Sequence, residues 1–310
     1  MTFSRDTVLT LGLSLLSIIV FSNSAAQTSP ETQIIMLGTG SPVPNPDRSG
    51  PAVAIVVDEN SYLFDFGPGV VRRAAKLSPR FGGKITALAP KNIHIAFLTH
   101  LHSDHSAGFS DLLLTAWSGG HRNRPLRIFG PEGIERLVEG TLYAYETDIK
   151  YRVFGLEVTN DQGWRVETET IKEGLVFQDN YVKVLAFPVL HGSWPNAFGY
   201  RIETEDKVVV ISGDLRPNDK IREYSKNADY LIHEVYCEAG RNRLDKERQN
   251  YHLSNHTSTK QLVELAGTVK PGVLVLTHIL WFGCTPEEVM DEMADYPGKT
   301  ILAEDLDIYK

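Results

Sequence analysis

Thr99-His100-Leu101-His102-Ser103-Asp104-His105 sets four candidate metal ligands within six residues, at the end of the apolar run 93–99. Where a strand runs out into a loop, several side chains can converge on one point without helical spacing. Imidazole together with carboxylate suits Zn²⁺, Fe or Mn. Without a cation, such groups would repel one another or be left without partners. A lone buried histidine is usually a core residue, but a cluster of this density points to a metal.

One cluster of this kind cannot fill two coordination shells. Three polar residues farther along the chain also stand at the ends of apolar runs. His191 follows 182–190, Asp214 closes Ser212-Gly213-Asp214 after 208–211, and His278 follows 273–277. Each alone is an ordinary loop residue. Together with the first cluster they make a ligand set.

Around these positions, β-branched runs at 33–37, 52–57, 93–99, 126–129, 182–187, 207–211 and 273–277 predict strands. Helices are expected over 69–77, 107–117, 132–140, 258–266 and 287–295. Ser258 with Gln261, and Thr285 with Pro286 and Glu288, spell helix starts. The simplest architecture is two sheets packed face to face with helices outside. Residues 143–180 read as an excursion or lid between the halves, and no internal repeat is visible.

The order HxHxDH, a later His, SGD and a final TH resembles the metallo-β-lactamase superfamily. The match is closer to its ribonuclease Z-like branch, which also holds arylsulfatases and cyclic-nucleotide phosphodiesterases. Leu37-Gly38-Thr39-Gly40-Ser41, Leu63-Phe64-Asp65-Phe66-Gly67, Phe129-Gly130-Pro131-Glu132-Gly133, Gly199-Tyr200-Arg201, His233-Glu234 and Asn255-His256-Thr257 resemble further motifs of that branch.

The resemblance implies an α/β (α+β) fold, an αββα sandwich of two mixed β-sheets with helices outside and the site on one edge. It implies two Zn²⁺ ions, with Mn²⁺ or Fe as alternatives. His100, His102 and His191 would bind the first, and Asp104, His105 and His278 the second, with Asp214 bridging. Asp104 would also orient the attacking water, and Asp65 would steady a ligand histidine. His256, backed by Glu234, would assist the leaving group. Without the resemblance, His256 reads as a solvated residue at a helix start.

The 310 residues are 42% hydrophobic and 23% charged, an ordinary globular balance. Residues 1–26 read as a secretory signal peptide: Arg5, the apolar run 8–21, then Ser24-Ala25-Ala26. An uncleaved anchor is the alternative, but that run is shorter than the ~20 residues that span a bilayer. The mature hydrolase domain, 27–310, is expected to be secreted or periplasmic and free of the membrane. Cys237 and Cys284 read as two buried thiols, with pairing as the alternative.

The net charge of −8 makes nucleic acid an improbable partner, because phosphate contacts depend on Lys and Arg. Between 141 and 187, eight acidic residues face five basic ones, the opposite of an RNA clamp. The expected activity is cleavage of a small anionic ester, a phosphodiester or aryl sulfate. The alternatives are tRNA 3′ processing, a lactonase or β-lactamase, and a metal-binding or redox protein without hydrolase activity. A homodimer is implied by the resemblance alone.

Overall fold

Apolar runs that continue without a polar alternate predict strands covered on both faces, and the chain meets that expectation. The computed structural model describes residues 1–2, 31–157 and 159–310. The expected signal peptide, apart from its first two residues, and its cut after Ala26 lie outside the described residues. Among these, no helix is long and apolar enough to cross a membrane.

The first sheet contains β1 (Thr32–Gly38), β2 (Ala52–Val57), β3 (Asn60–Phe64), β4 (Ile95–Phe97), β5 (Leu126–Gly130) and β6 (Val166–Thr170). The second contains β7 (Gly174–Gln178), β8 (Lys183–Pro188), β9 (Phe198–Glu203), β10 (Val208–Ile211), β11 (Tyr230–Tyr236), β12 (Val273–Leu280) and β13 (Thr300–Leu302). The last strand, β14 (Ile308–Tyr309), returns to pair with β1. The strand orders are β14-β1-β2-β3-β4-β5-β6 and β13-β12-β11-β10-β9-β8-β7.

Alternate residues of one strand serve different cores. Ile34 and Met36 of β1 meet Val184, Tyr200 and Val209 between the sheets. Ile35 and Leu37 face outward against Val70, Val71 and Ile134 of the helices Val70–Leu77 and Ile134–Ala144. On the far side, Val210, Leu231 and Leu274 pack on Leu262, Leu265 and Val289 of the helices Thr259–Val269 and Pro286–Glu292. The layers are helix, sheet, sheet, helix. Both predicted capping boxes are formed, Ser258 with Gln261 and Thr285 with Glu288.

Two expectations are corrected. Residues 143–180 are not a lid: they hold the helix Glu146–Phe154 and the edge strands β6 and β7. Val-Glu-Thr-Glu-Thr in β6 is almost wholly exposed, so no apolar period marks it as a strand. Cys237 and Cys284 are joined by a disulfide. Parallel pairing of β11 with β12 sets Tyr236 opposite Leu280, which brings the two cysteines together just past the strand ends. That neighbourhood is set by sheet register, and 47 residues separate the pair in sequence.

Candidate active site

The seven predicted ligands converge at one end of the two sheets, on the loops that follow β4, β8, β10 and the bend within β12. His100, His102, His191 and Asp214 each bring one ligand atom within 4.8 Å of the others. Asp104, His105 and His278 do the same, and so do Asp214, His256 and His278. Asp214 belongs to two of these groups, the position expected of a bridging carboxylate.

Local backbone chemistry aims these side chains. Gly213 takes φ 60°, and a side chain there would strike the carbonyl of Phe198. Asp65 and His278 are in the left-handed region at φ 57° and 46°. Non-glycine residues reach that region at a cost, which is often carried at functional sites.

Asp65 holds the first cluster in register. Its Oδ2 accepts from His105 Nδ1 at 2.7 Å and from Thr99 Oγ1 at 2.9 Å, and its Oδ1 accepts from the Thr99 amide at 2.7 Å. The Thr99 hydroxyl, having donated its proton, accepts from His100 Nδ1 at 3.0 Å. His191 Nδ1 donates to the carbonyl of Asn255 at 2.8 Å. With Nδ1 protonated in His100 and His191, the Nε2 of each carries a lone pair aimed inward.

Those lone pairs meet. His100 Nε2 lies 2.9 Å, and His191 Nε2 3.1 Å, from His102 Nδ1. A single ring proton cannot serve both contacts, whereas a cation shared by three nitrogens satisfies all of them. Burial, then the neighbouring charge of His105, holds His100 far below the ordinary histidine pKa. Burial and His191 bring His102 to about 4, and burial lowers His191. All three are therefore neutral imidazoles, the form that binds metal.

The other half calls for positive charge. His105 Nε2 and Asp214 Oδ1 are buried without a hydrogen-bond partner. They stand 3.4 Å apart, and His278 Nε2 lies 3.1 Å from Asp104 Oδ2 and 3.5 Å from Asp214 Oδ2. Burial opposes charge on His105, but Asp214 and Asp65 overcome it and raise its pKa well above the ordinary value. A donor set of imidazole and carboxylate, left with orphaned buried atoms and an unmet need for positive charge, fits a metal ion.

His256 and Glu234 adjoin this centre. Glu234 Oε1 accepts from the amides of Leu215 at 3.2 Å and Thr257 at 2.9 Å, and Oε2 lies 3.4 Å from His256 Nδ1. Burial opposes charge on His256, but the Glu234 carboxylate prevails and raises its pKa above the ordinary value. His256 is buried at the end of the helix Lys246–Asn255, not solvated. Sequence reasoning missed Thr99 and the Asn255 carbonyl as supports. It also missed Trp194, whose ring stands 4.3 Å from that of His102. An aromatic residue three positions after a ligand histidine was the available signal.

The Beta-lactamase superfamily domain model matches residues 60–279. The chain belongs to that family and is a metal-dependent hydrolase of the metallo-β-lactamase fold. Among its relatives is a ribonuclease Z of Mycobacterium bovis (strain BCG / Pasteur 1173P2), 32% identical over 249 residues that cover 79% of this chain and 85% of the relative. A ribonuclease Z of Mycolicibacterium gilvum is 32% identical over 248 residues, 79% of this chain and 83% of the relative. The fold is shared with the metallo-β-lactamase fold protein YhfI of Bacillus subtilis, at TM-score 0.68 and 16% identity over 90% of this chain and 98% of that one. It is shared also with human tRNase Z, short form, at TM-score 0.64 and 22% identity over the same proportions.

Proposed function

We propose that this protein is a dinuclear-zinc phosphodiesterase. His100, His102 and His191 would hold one ion, and Asp104, His105 and His278 the other, with Asp214 between them. When bound, zinc supplies a Lewis acid for the phosphoryl oxygens and lets water act as a nucleophile at neutral pH. Asp104 orients the attacking water, and His256, kept protonated by Glu234, delivers a proton to the departing oxygen. The observation that carries this reading is the buried Glu234–His256 pair, with His256 Nδ1 4.0 Å from Asp214 Oδ2. A proton donor set against the centre is what a poor leaving group requires.

The ribonuclease Z relatives favour an RNA phosphodiester as the substrate. They weigh against the expectation, drawn from charge, that nucleic acid is an improbable partner. Nothing in the comparisons favours a sulfate ester. A second reading, export and action on a small phosphodiester outside the cytoplasm, is supported by the Cys237–Cys284 disulfide, a bond of oxidising compartments.

The test uses zinc-loaded protein on bis(p-nitrophenyl) phosphate, an RNA dinucleotide, a tRNA precursor and p-nitrophenyl sulfate. Turnover of phosphodiesters without sulfate ester is expected. His256→Ala should slow the dinucleotide by about 100-fold or more. The nitrophenyl ester should slow less, because nitrophenolate leaves without a proton. Zinc content should stay at two equivalents. Loss of one equivalent would make His256 a ligand, the alternative that the Asp214, His256 and His278 group allows.

A further inference from the structure

A run of rings leads outward from the centre on the His256 side. His256 lies 6.0 Å from His278, with the rings nearly parallel at 20°, and 5.7 Å from His252, ring centre to ring centre. His252 in turn lies 5.0 Å from Tyr251 and 4.5 Å from Phe282. Tyr251 is 49% exposed on the helix Lys246–Asn255, which also exposes Leu253, and His252 and Phe282 are half-buried.

We propose that Tyr251, His252 and Phe282 form a leaving-group subsite beside His256 that holds a planar aromatic ring, either a nucleobase or a phenyl group. This rests on the phosphodiesterase reading through the placing of His256 at the departing oxygen. Two observations support it beside the spacing of the rings. Phe282 is held at φ 47°, a strained conformation for an aromatic residue, in a loop anchored two residues later by Cys284. Burial, then the charge of His256, brings His252 down to about 4, so its ring is neutral at working pH. It therefore offers a flat face, not a cation for phosphate. Rings that lie between solvent and a proton donor are placed to stack on the group that departs.

The experiment measures binding of methyl phosphate, phenyl phosphate and adenosine 3′-monophosphate to the zinc-loaded full chain by calorimetry. Each dissociation constant is repeated as an inhibition constant against bis(p-nitrophenyl) phosphate. An aromatic phosphate should bind roughly tenfold tighter than methyl phosphate. Tyr251→Leu and Phe282→Leu should each shrink that ratio, and the pair should abolish it, while Tyr251→Phe should keep it. Tighter binding of the adenosine ester assigns the subsite to a nucleobase, and tighter binding of phenyl phosphate assigns it to an aryl group. Equal affinities in the unmodified protein, no binding of any of the three, or a ratio that survives the double substitution overturns the proposal. Phosphodiester turnover without a ring preference would sink the subsite alone. A ring preference without turnover would sink the phosphodiesterase reading and leave these rings as an aromatic-binding site with no leaving-group role.

Discussion

Asp65 carries more of the site than its distance from the histidine cluster suggests. It is no ligand itself, yet it fixes the proton on His105 directly and on His100 through Thr99. Asp65→Ala should therefore weaken zinc binding by about 10- to 100-fold, as loss of a group behind a ligand histidine does. Competition with a chelator measures this, and an unchanged affinity would refute the chain of hydrogen bonds. His94 shows the opposite use of a histidine. Nδ1 donates to the Asn92 carbonyl at 2.6 Å, and Nε2 accepts from Arg124 at 3.2 Å, so the neutral ring is satisfied. Burial first lowers its pKa below 6.5. The unfolded chain then binds the proton more readily, so stability from this residue is full above about pH 6.5 and declines as pH falls through it. The unfolding temperature of the wild-type chain should drop more between pH 8 and pH 5 than that of His94→Gln; parallel curves would exclude the effect. His100 to His105 were legible because the candidate ligands sit side by side in sequence. Asp65 was legible only as a motif residue, because its partners lie 34 and 40 positions away.

At the level of elements, Arg122 explains an irregular one. The expected helix 107–117 forms as a continuous helical run over 109–118, but its middle, Asp111–Thr115, is π-helical, and a short helix Ser103–Ser106 precedes it. The fully buried Arg122 guanidinium donates to the carbonyls of Leu112 at 3.0 Å and Leu113 at 2.8 Å, drawing on the π-helical turn itself. It also reaches Gly163 O at 2.8 Å, which ties in the approach to β6. Burial lowers its pKa only to about 10, so the charge persists at neutral pH on carbonyl partners. Arg122→Met would leave those carbonyls unpaired and should cost roughly 3 kcal/mol. Urea unfolding checks this, and a change under about 0.5 kcal/mol would mean that the carbonyls find other donors. Helices with capping boxes could be read from sequence. The helix Lys246–Asn255, Lys-Glu-Arg-Gln-Asn-Tyr-His-Leu-Ser-Asn, could not, because it has almost no apolar face.

Across the whole molecule, the two sheets repeat one pattern. β14, β1, β2 and β3 run antiparallel and β3 to β6 parallel; β7, β8, β9 and β10 run antiparallel and β10 to β13 parallel. Asp65 after β3 and Asp214 after β10 hold matching places in the two halves, one behind the proposed ligands and one among them. The absence of a visible repeat in the spelling is thus an absence of shared residues, while the topology does repeat. The Cys237–Cys284 bridge closes a loop of 47 residues across the second half. Replacing both cysteines by serine should lower stability by about 2–4 kcal/mol, read as a fall in unfolding temperature. An unchanged unfolding temperature would show that the bridge adds nothing to the packed sheets around it.

Residue identity alone determined the chemistry: a dense set of imidazoles and carboxylates at strand ends needs a cation wherever it is folded. Apolar runs without alternation determined strands buried on both faces, and so a layered fold. Only the tertiary structure decided which distant groups meet. The edge strands β6 and β7, the pairing of the two cysteines, the bond from Asp65 to His105 and the rings beside His256 all depend on sheet register and loop closure. Those are long-range facts of packing, which no local pattern of residues encodes.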